Sequence, residues 1–509
     1  MIIVLNFGSQ FAHLIARRVR ELGVKAETLP FNATLAQIKS YDPAGIILSG
    51  SPASALEKRS PRPARGVFSF GVPVLGICYG EQVMAHMLGG QVSKGENREY
   101  GKEVVTVSRT PLFAGFKHKE TVWFSHGDQV TKLPRGFKTI ASTHNCRHAG
   151  MADIKKKLFA IQFHPEVAHT QRGQEMLSNF VFNICKAQKD WKMGNVLREL
   201  EIRLRKEVDK SHVVIGISGG VDSLVAATLL YKAIGQQLHA VFVDTGLLRK
   251  GEVDAVAKSL RKQGFKNLHV VNARELFLGR LKGKTDPEEK RRIIGHAFIE
   301  MFERTIKREL RKYPIAFLAQ GTIYPDRIES AEASKNAAKI KSHHNLTLPE
   351  TMEFKILEPL KEFYKDEVRE LGDLLGLPRE LLWRHPFPGP GLAVRIVGEV
   401  TTDRLHILRE ADAIFIDELK RNREYDKIWQ AFAVLLSIRS VGVMGDARTY
   451  EYMISLRAVD SVDGMTADWH KIPPSLLEHI SSRIIGEVRG VNRVLYDVTQ
   501  KPPATIEYE

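Results

Sequence analysis

Residues 218–223 read Ser-Gly-Gly-Val-Asp-Ser and follow directly on the apolar run Val213–Ile217. That run predicts a buried strand, and the stretch Leu224–Leu230 predicts a helix after the junction. Glycines at the junction let backbone N–H groups approach an anion, and the helix N-terminus adds positive potential. The segment therefore favours a phosphate-binding loop in a parallel α/β sheet over an ordinary turn that caps a helix.

This loop lacks the lysine of the Gly-x-x-x-x-Gly-Lys-Ser/Thr loop, which usually holds the β- and γ-phosphates during γ-phosphoryl transfer. It resembles the loop of ATP pyrophosphatases, which adenylate a substrate and release pyrophosphate. The resemblance implies Mg²⁺ on the pyrophosphate, positioned by Asp222. It also implies an ATP site formed by the loop and the end of the next predicted strand: Ser218, Gly219, Gly220, Val221, Asp222, Ser223, Val243 and Asp244.

A second chemical centre lies upstream, where residues 74–82 read Val-Leu-Gly-Ile-Cys-Tyr-Gly-Glu-Gln. An apolar strand again stops at small residues before a predicted helix, Gln82–Leu88. The flanking glycines permit a tight turn, so Cys78 is predicted on a nucleophile elbow whose helix N-terminus favours the thiolate. A lone cysteine is otherwise often a buried structural residue, and this segment alone does not decide between the two.

The segment Leu158–Glu166 predicts a strand whose end presents His164 and Glu166. Residues two apart in an extended segment point to the same side, so the carboxylate could orient the imidazole that activates Cys78. The three residues resemble the catalytic triad of class I glutamine amidotransferases. That resemblance implies oxyanion and glutamine binding by Gly50, Ser51, Tyr79, Gln82, His126, Gly127 and Asp128.

Length and composition limit the function classes. The chain has 509 residues, which suggests about three domains. Its three cysteines cannot form a disulfide framework, which suits a reducing cytoplasm. The start Met1–Gly8 predicts a buried strand rather than a signal peptide, and no apolar run suits a bilayer. The net charge of +16 is scattered among acidic residues, which favours anionic small substrates and neither nucleic acid nor a membrane as partner.

Strand and helix signals predict the fold class α/β, with two parallel-sheet domains followed by a smaller α+β dimerisation domain. The boundaries fall at residues 1–190 for an amidotransferase domain, 195–384 for an adenylating domain and 385–509 for the last domain. In the first, Val104–Val107 and Thr121–Phe124 predict antiparallel edge strands, and Ser125–Asp128 predicts a loop. The last is predicted to contain one amphipathic helix, Asp403–Lys420, and an extended tail.

The whole chain resembles the GMP synthase (glutamine-hydrolysing) family. The two motifs are followed by Pro388–Leu392 and by the segment Lys501–Glu509, and other matching stretches are Phe7–Gln10, Ala319–Asp326, Ile340–Asn345 and Val441–Asp446. The resemblance implies that ATP adenylates the C2 oxygen of XMP and that ammonia from glutamine then displaces AMP. It also implies a homodimer formed through the C-terminal domain.

The same resemblance assigns an XMP pocket and a lid: Arg291, Asp326, Glu329, Lys341, His343, His344, Asn345, Pro388, Gly389, Lys501, Thr505, Ile506 and Glu507. Arg291 lies in the charged helix Pro287–Arg292, so an exposed arginine without a ligand is the alternative. His343 and His344 do not predict zinc, because adjacent side chains diverge and no further ligand has finger-like spacing.

Two departures from the family pattern lie near the thiol. Ser51 stands where glycine is usual, and Glu81 stands where methionine is common. Two other functions are considered. The first is another glutamine-dependent adenylating synthetase such as NAD synthetase, which shares the phosphate loop; the elbow and the tail argue against it. The second is a binding protein without turnover, which the intact Cys78, His164 and Asp222 argue against.

Overall fold

The computed structural model describes residues 1–9, 11–57, 59–326, 354–461 and 466–509. The chain divides into two compact units, Met1–Val196 and Leu197–Glu509. No helix among the described residues combines the length and the apolar character that crossing a bilayer requires.

The first unit is built around one nine-stranded sheet. Its strands are β1 (Ile2–Asn6), β2 (Ala26–Pro30), β3 (Gly45–Leu48), β4 (Val74–Ile77), β5 (Gln91–Val107), β6 (Lys119–Lys132), β7 (Lys138–Ser142), β8 (Gly150–Asp153) and β9 (Leu158–Ile161). Its helices are α1 (Ala12–Glu21), α2 (Leu35–Lys39), α3 (Tyr79–Met87) and α4 (Gly173–Ser178), with a 3₁₀ turn at Arg65–Ser69 and a π-helical end at Asn179–Ile184.

Half of this sheet is parallel, in the order β2-β1-β3-β4-β9. Successive residues of β1 belong to two different hydrophobic cores, with Ile2 in one and Ile3 in the other. Both faces of the sheet are therefore covered, as expected for parallel strands. Ile77 at the end of β4 pairs with Ile161 at the end of β9. The segments that follow these two strands consequently leave the sheet at the same edge.

The other half is antiparallel, in the order β9-β8-β7-β5-β6, which confirms the predicted edge strands. The prediction that Ser125–Asp128 forms a loop is wrong. These residues lie inside β6, where His126 pairs with Glu99 and Asp128 pairs with Lys94. Pairing with the long strand β5 on both sides of an irregularity between Lys94 and Glu99 outweighs the turn preference of Gly127 and Asp128, because strand propensity depends strongly on context.

The second unit begins with a five-stranded parallel sheet. Its strands are β10 (His212–Ile217), β11 (Leu238–Asp244), β12 (Leu268–Asn272), β13 (Ile315–Ala319) and β14 (Lys355–Leu357). The order is β12-β11-β10-β13-β14, so β10 is central. The helices are α5 (Met193–Val208), which crosses the boundary between the units, α6 (Val221–Ile234), α7 (Glu252–Lys262), α8 (Arg274–Leu281), α9 (Pro287–Glu309), α10 (Lys365–Leu374) and α11 (Arg379–Leu382).

The rest of this unit is a second, mostly antiparallel sheet with two helices. The strands are β15 (Ile396–Val397), β16 (Gln430–Met444), β17 (Ala447–Asp460), β18 (Asp468–Trp469) and β19 (Val491–Asp497); the helices are α12 (Thr402–Arg421) and α13 (Pro474–Glu487), and a 3₁₀ turn spans Gly391–Arg395. The predicted single helix corresponds to α12, whereas α13 was missed. Its buried residues Leu476, Ile480 and Ile484 recur every four positions, a helical period that the prediction overlooked.

One hydrophobic core joins the two sheets of the second unit. Val214 and Val241 of the parallel sheet share it with Leu435 of β16 and Ile484 of α13. The division of this unit at residues 384 and 385 stays a prediction, because one core spans both sides of it.

Candidate active sites

Cys78 lies at a strained turn between β4 and α3, as the elbow motif predicted. Its φ of 56° is uncommon for a residue other than glycine. A Cβ at Gly76 would lie 2.6 Å from the carbonyl oxygen of Gly80, and one at Gly80 would lie 2.5 Å from that of Leu48. The first turn of α3 therefore packs directly on the backbone of the sheet, and only glycine permits that approach.

His164 and Glu166 meet beside this thiol. The Nδ1 atom of His164 lies 2.7 Å from Oε1 of Glu166, and both side chains are buried. Burial opposes the positive charge, but Glu166 and Cys78 outweigh it and hold the pKa of His164 well above its usual range. The arrangement favours a protonated His164 imidazole beside the sulfur of Cys78. The pair was predicted on an extended strand, but β9 ends at Ile161 and both residues lie in the turn that follows.

Gly50 closes the space between the thiol and the imidazole. A Cβ at this position would lie 3.3 Å from Cε1 of His164 and 3.7 Å from Cβ of Cys78. The neighbouring Ser51 does not have a positive φ, and its hydroxyl donates to the carbonyl of Phe7 at 2.8 Å. The substitution of serine for glycine is thus accommodated without left-handed backbone. The structure places the predicted Gly50 next to Cys78 and His164.

Strand β6 forms a wall of the same site. The thiol of Cys78 lies 3.8 Å from the carbonyl oxygen of Ser125. Nε2 of Gln82 donates to the carbonyl of Asp128 at 2.8 Å, which brings two predicted glutamine-binding residues together. The ring of His126 instead faces the interior, where Glu99 and the Asp128 carbonyl occupy both of its nitrogens. Neither ring nitrogen is therefore available to bind a substrate.

Two other residues at the elbow have unusual surroundings. Tyr79 is buried, and its hydroxyl donates to the carbonyl of Pro61 at 2.7 Å. The group of Tyr79 that the elbow motif predicts for oxyanion binding is therefore its backbone N–H. Glu81 is completely buried, and neither of its carboxylate oxygens has a hydrogen-bond partner. Burial and the nearby Cys78 raise the pKa of Glu81 well above its usual range, so this carboxyl is neutral.

In the second unit, the predicted phosphate loop joins β10 to α6. The hydroxyls of Ser218 and Ser223 lie 3.2 Å apart across the loop, and Gly219 has a φ of 81°. A Cβ at Gly321 would lie 2.8 Å from the backbone nitrogen of Ser223. The segment after β13 therefore packs against the start of α6, and the loop is held from two sides.

Lys365, at the start of α10, was not predicted. Its Nζ lies 2.7 and 2.6 Å from the two carboxylate oxygens of Asp222. Arg384 is a second cation near the loop, since its Nη2 lies 3.8 Å from the position of a Cβ at Gly219 and its Nη1 lies 2.6 Å from Oε1 of Glu252. The two residues are far from the loop in sequence, so no local pattern signals them.

The fit of Mg²⁺ depends on Asp222. A carboxylate at the mouth of a phosphate loop is the hard oxygen donor that Mg²⁺ prefers. Within the described ranges, one cluster of three possible metal ligands occurs, Glu99 with His126 and Cys146, and it lies in the first unit. Asp222 is therefore suited to share a Mg²⁺ ion with phosphate oxygens rather than to belong to an all-protein cage.

Val243 and Asp244 end β11, and Asp244 lines a cavity of about 310 Å³. The carboxylate of Asp244 accepts from Nε of Arg274 at 2.7 Å and from the backbone N–H of Gly246 at 3.0 Å. Arg274 and Asp244 both line the cavity, as does the partly buried Arg409. The end of this strand thus offers polar groups around a space of small-ligand size.

The end of the tail lies against α9 and the Gly391–Arg395 turn. Arg291 donates to the carbonyl of Glu509 at 2.6 Å, and the neighbouring Lys290 pairs with the Glu509 carboxylate. Glu507 accepts from Nε and Nη2 of the buried Arg395 at 3.0 and 2.9 Å. The structure therefore brings Arg291 and Glu507 to one region of the unit.

The remaining predicted residues have different positions. Lys501 forms an antiparallel bridge with Ala467, Ile506 is buried, and the hydroxyl of Thr505 donates to the Glu507 carbonyl. Pro388 and Gly389 lie in the loop before the Gly391–Arg395 turn, and Asp326 accepts from the backbone of Ile323 at 3.0 Å. The predicted residues outside the described ranges are Glu329, Lys341, His343, His344 and Asn345.

Three family models match the chain. Glutamine amidotransferase class-I matches residues 3–184, NAD synthase matches residues 196–275, and GMP synthase C terminal domain matches residues 417–508. A GMP synthase [glutamine-hydrolyzing] of Aquifex aeolicus is 53% identical and covers 100% of this chain and 99% of its own length. The protein of the same name from Carboxydothermus hydrogenoformans is 54% identical with the same coverage, and that from Thermosipho africanus is 52% identical.

The fold and the two sites define a glutamine-dependent, ATP-using synthetase that joins an amidotransferase unit to an adenylating unit. The NAD synthase match is confined to the part that contains the phosphate loop. Over its full length the chain belongs to the GMP synthase (glutamine-hydrolysing) family, and it is a ligase.

Proposed function

We propose that the first unit hydrolyses glutamine at Cys78 and that the second unit uses the ammonia, with ATP, to convert XMP to GMP. The C2 oxygen of XMP attacks the α-phosphorus of ATP and pyrophosphate leaves. Ammonia then attacks C2, and AMP leaves with the oxygen. The observation that carries the proposal is the Cys78, His164 and Glu166 geometry within a chain that matches its relatives over its whole length.

In the glutaminase step, the Cys78 thiolate attacks the carboxamide carbon of glutamine and His164 gives its proton to the departing ammonia. Glu166 keeps the ring oriented through its contact with Nδ1. Backbone N–H groups of Ser51 and Tyr79 are proposed to stabilise the oxyanion, because Tyr79 follows Cys78 directly and Ser51 follows Gly50, which lies beside Cys78. Water then attacks the thioester, and glutamate leaves as the thiol is regenerated.

In the adenylation step, the loop Ser218–Ser223 is proposed to bind the pyrophosphate part of ATP through its N–H groups and hydroxyls. When bound, Mg²⁺ neutralises charge on the phosphates, and Asp222 is its proposed protein ligand. Lys365 now pairs with Asp222. With Asp222 holding Mg²⁺, Lys365 would pair with a phosphate oxygen instead, and the charge balance of the site would be kept.

The XMP site is proposed at the tail, where Arg291 and Lys501 supply cations and Glu507 supplies an acceptor. Support comes from the contacts that hold the tail in place, Glu507 on Arg395 and Glu509 on Lys290. A segment anchored at these points can present side chains to a nucleotide at a low entropic cost. The cytoplasm is the proposed compartment, since all three cysteines are unbridged.

We also propose that the chain forms a homodimer through the β16–β17 hairpin. Large apolar side chains are exposed there, with Val443 at 75%, Ile438 at 64% and Tyr450 at 56% exposure. A cluster of this kind on a monomer usually marks an interface. Val443→Lys should shift the mass measured by light scattering from dimer to monomer, whereas Leu495→Lys on β19 serves as a matched surface control. A wild-type monomer would refute the proposal.

The function is tested by incubating the protein with ATP, Mg²⁺, XMP and glutamine labelled with ¹⁵N at the amide. Mass spectrometry should find GMP that carries one ¹⁵N atom, together with AMP, pyrophosphate and glutamate. A parallel reaction with deamido-NAD in place of XMP tests the NAD synthetase alternative. The observation that favours this alternative is the match of residues 196–275 to the NAD synthase family model. Amidation of deamido-NAD but not of XMP would overturn the proposed function.

A further inference from the structure

The ring of His126 is enclosed behind the glutamine site. Its Nδ1 lies 3.0 Å from the carbonyl oxygen of Asp128, and its Nε2 lies 2.9 Å from Oε2 of Glu99. The side chains of Glu99 and His126 are only 2% and 3% exposed. A carbonyl oxygen only accepts, so Nδ1 must carry a proton, and a second proton lies between Nε2 and the carboxyl group.

Glu99 is itself fixed by a second contact. The hydroxyl of Thr143 donates to its Oε1 at 2.8 Å. Both carboxylate oxygens are therefore used, and neither ring nitrogen of His126 has a free lone pair. Burial raises the pKa of the neighbouring Cys146 thiol, which stays neutral. These three residues resemble a metal-ligand cluster in their spacing, but their hydrogen bonds are satisfied without an ion.

The pair is connected to the reacting groups through the main chain of β6. The Asp128 carbonyl oxygen accepts hydrogen bonds from Nδ1 of His126 and from Nε2 of Gln82. The Asp128 carboxylate accepts from the hydroxyl of Ser54. Three residues earlier in β6, the Ser125 carbonyl oxygen lies 3.8 Å from the sulfur of Cys78. A displacement of this strand would therefore move the wall against which glutamine is proposed to lie.

We propose that Glu99 and His126 are a positioning pair for glutamine, which fixes the backbone of Gly127 and Asp128 from the interior side. Neither residue touches the substrate. The inference rests on the proposed glutaminase function, and it assigns the imidazole of His126 to the support of the site rather than to its lining. Two buried hydrogen bonds at one strand suffice to hold its backbone, because leaving either partner unsatisfied is costly.

Glu99→Ala tests the pair. The variant should raise the KM for glutamine about tenfold, while the glutaminase kcat changes less than about threefold and ammonia-dependent GMP formation is unchanged. Glu99→Gln should restore the KM to within about twofold of the wild type, since its amide can donate to Nε2 and accept from Thr143. Glu103→Gln, on the same strand and paired opposite Val122, is the matched control.

Each outcome is decisive. An unchanged KM in Glu99→Ala overturns the inference. If Glu99→Ala has no glutaminase activity at all, Glu99→Gln decides, because a KM near the wild-type value supports the pair and a KM raised about tenfold overturns it. A wild-type protein that does not hydrolyse glutamine would instead remove the proposed function, before any variant is compared.

Discussion

At the residue scale, the backbone and partners of Cys78 separate it from the other two cysteines. It alone has a positive φ, while burial raises the pKa values of the Cys146 and Cys185 thiols. Cys78→Ala should abolish GMP formation from glutamine and leave formation from ammonium salts unchanged, because the phosphate loop lies in the other unit. Cys185→Ala is the control and should use both nitrogen sources. Continued synthesis from glutamine by Cys78→Ala would remove the thiol from the mechanism.

Asp222 is the second residue whose loss has a predictable effect. Asp222→Asn removes the partner of Lys365 and the proposed metal ligand together. The rate of GMP formation should fall at least about tenfold with either nitrogen source, a loss that initial-rate assays at saturating XMP would detect. Asp373→Asn, an exposed change on the helix that carries Lys365, should have no effect. Near-normal activity with ammonia would show that Asp222 does not hold the metal.

The residues whose roles could not be predicted from the sequence are those whose positions depend on contacts with residues far away in the chain. Cys78 with its flanking glycines is a local pattern, so its strand-to-helix turn was predictable. The spacing of His164 and Glu166 predicted their contact, but on an extended strand rather than in the turn where they lie. The contact of Lys365 with Asp222 joins residues 143 positions apart. The inward direction of the His126 ring depends on Glu99, 27 positions away and on another strand.

At the scale of elements, the elbow depends on how closely α3 approaches the sheet. Gly80→Ala would place a Cβ 2.5 Å from a backbone oxygen of β3, so α3 must shift and Cys78 with it. Glutamine-dependent synthesis should fall by more than about tenfold, and ammonia-dependent synthesis should persist. Gly194→Ala, whose Cβ would meet nothing within 4 Å, is the control. Equal activity of Gly80→Ala and wild type would contradict the packing argument.

Element prediction succeeded where the period was clear and failed where context decided. The buried strand β10, His212–Ile217, agrees within one residue with the predicted Val213–Ile217, because a short apolar run before a turn leaves little choice. Ser125–Asp128 reads as a turn by composition, yet pairing with β5 makes it strand. Such pairing joins segments that are distant in sequence, so it could not be predicted from the four residues themselves.

At the scale of the whole molecule, the tail is part of the second unit. Deleting residues 501–509 would leave Lys290 and Arg395, both fully buried, without their carboxylate partners. Breaking a buried pair in this way costs about 3–5 kcal/mol, so the second unit should melt at a lower temperature. GMP formation should stop with either nitrogen source, while glutamine hydrolysis persists.

The single change Lys501→Ala distinguishes a role of the tail in XMP binding from its role in stabilising the second unit. It removes a proposed XMP contact but neither buried ion pair, so XMP binding should weaken without a change in melting temperature. Calorimetry and XMP titration of both variants check this. A truncated protein that binds XMP with unchanged affinity and turns it over normally would exclude the tail from the site.

The distances along the chain between these partners also set an order of events during synthesis. Residues 1–196 contain all the strands of the first sheet, so this unit can close while later residues are still being made. Lys290 must wait for a partner 219 positions further on, and Arg395 for one 112 positions on. Until those residues leave the ribosome, two cations in the growing second unit lack the carboxylates with which they form ion pairs. During synthesis, the first unit is therefore expected to become resistant to protease well before the second unit does.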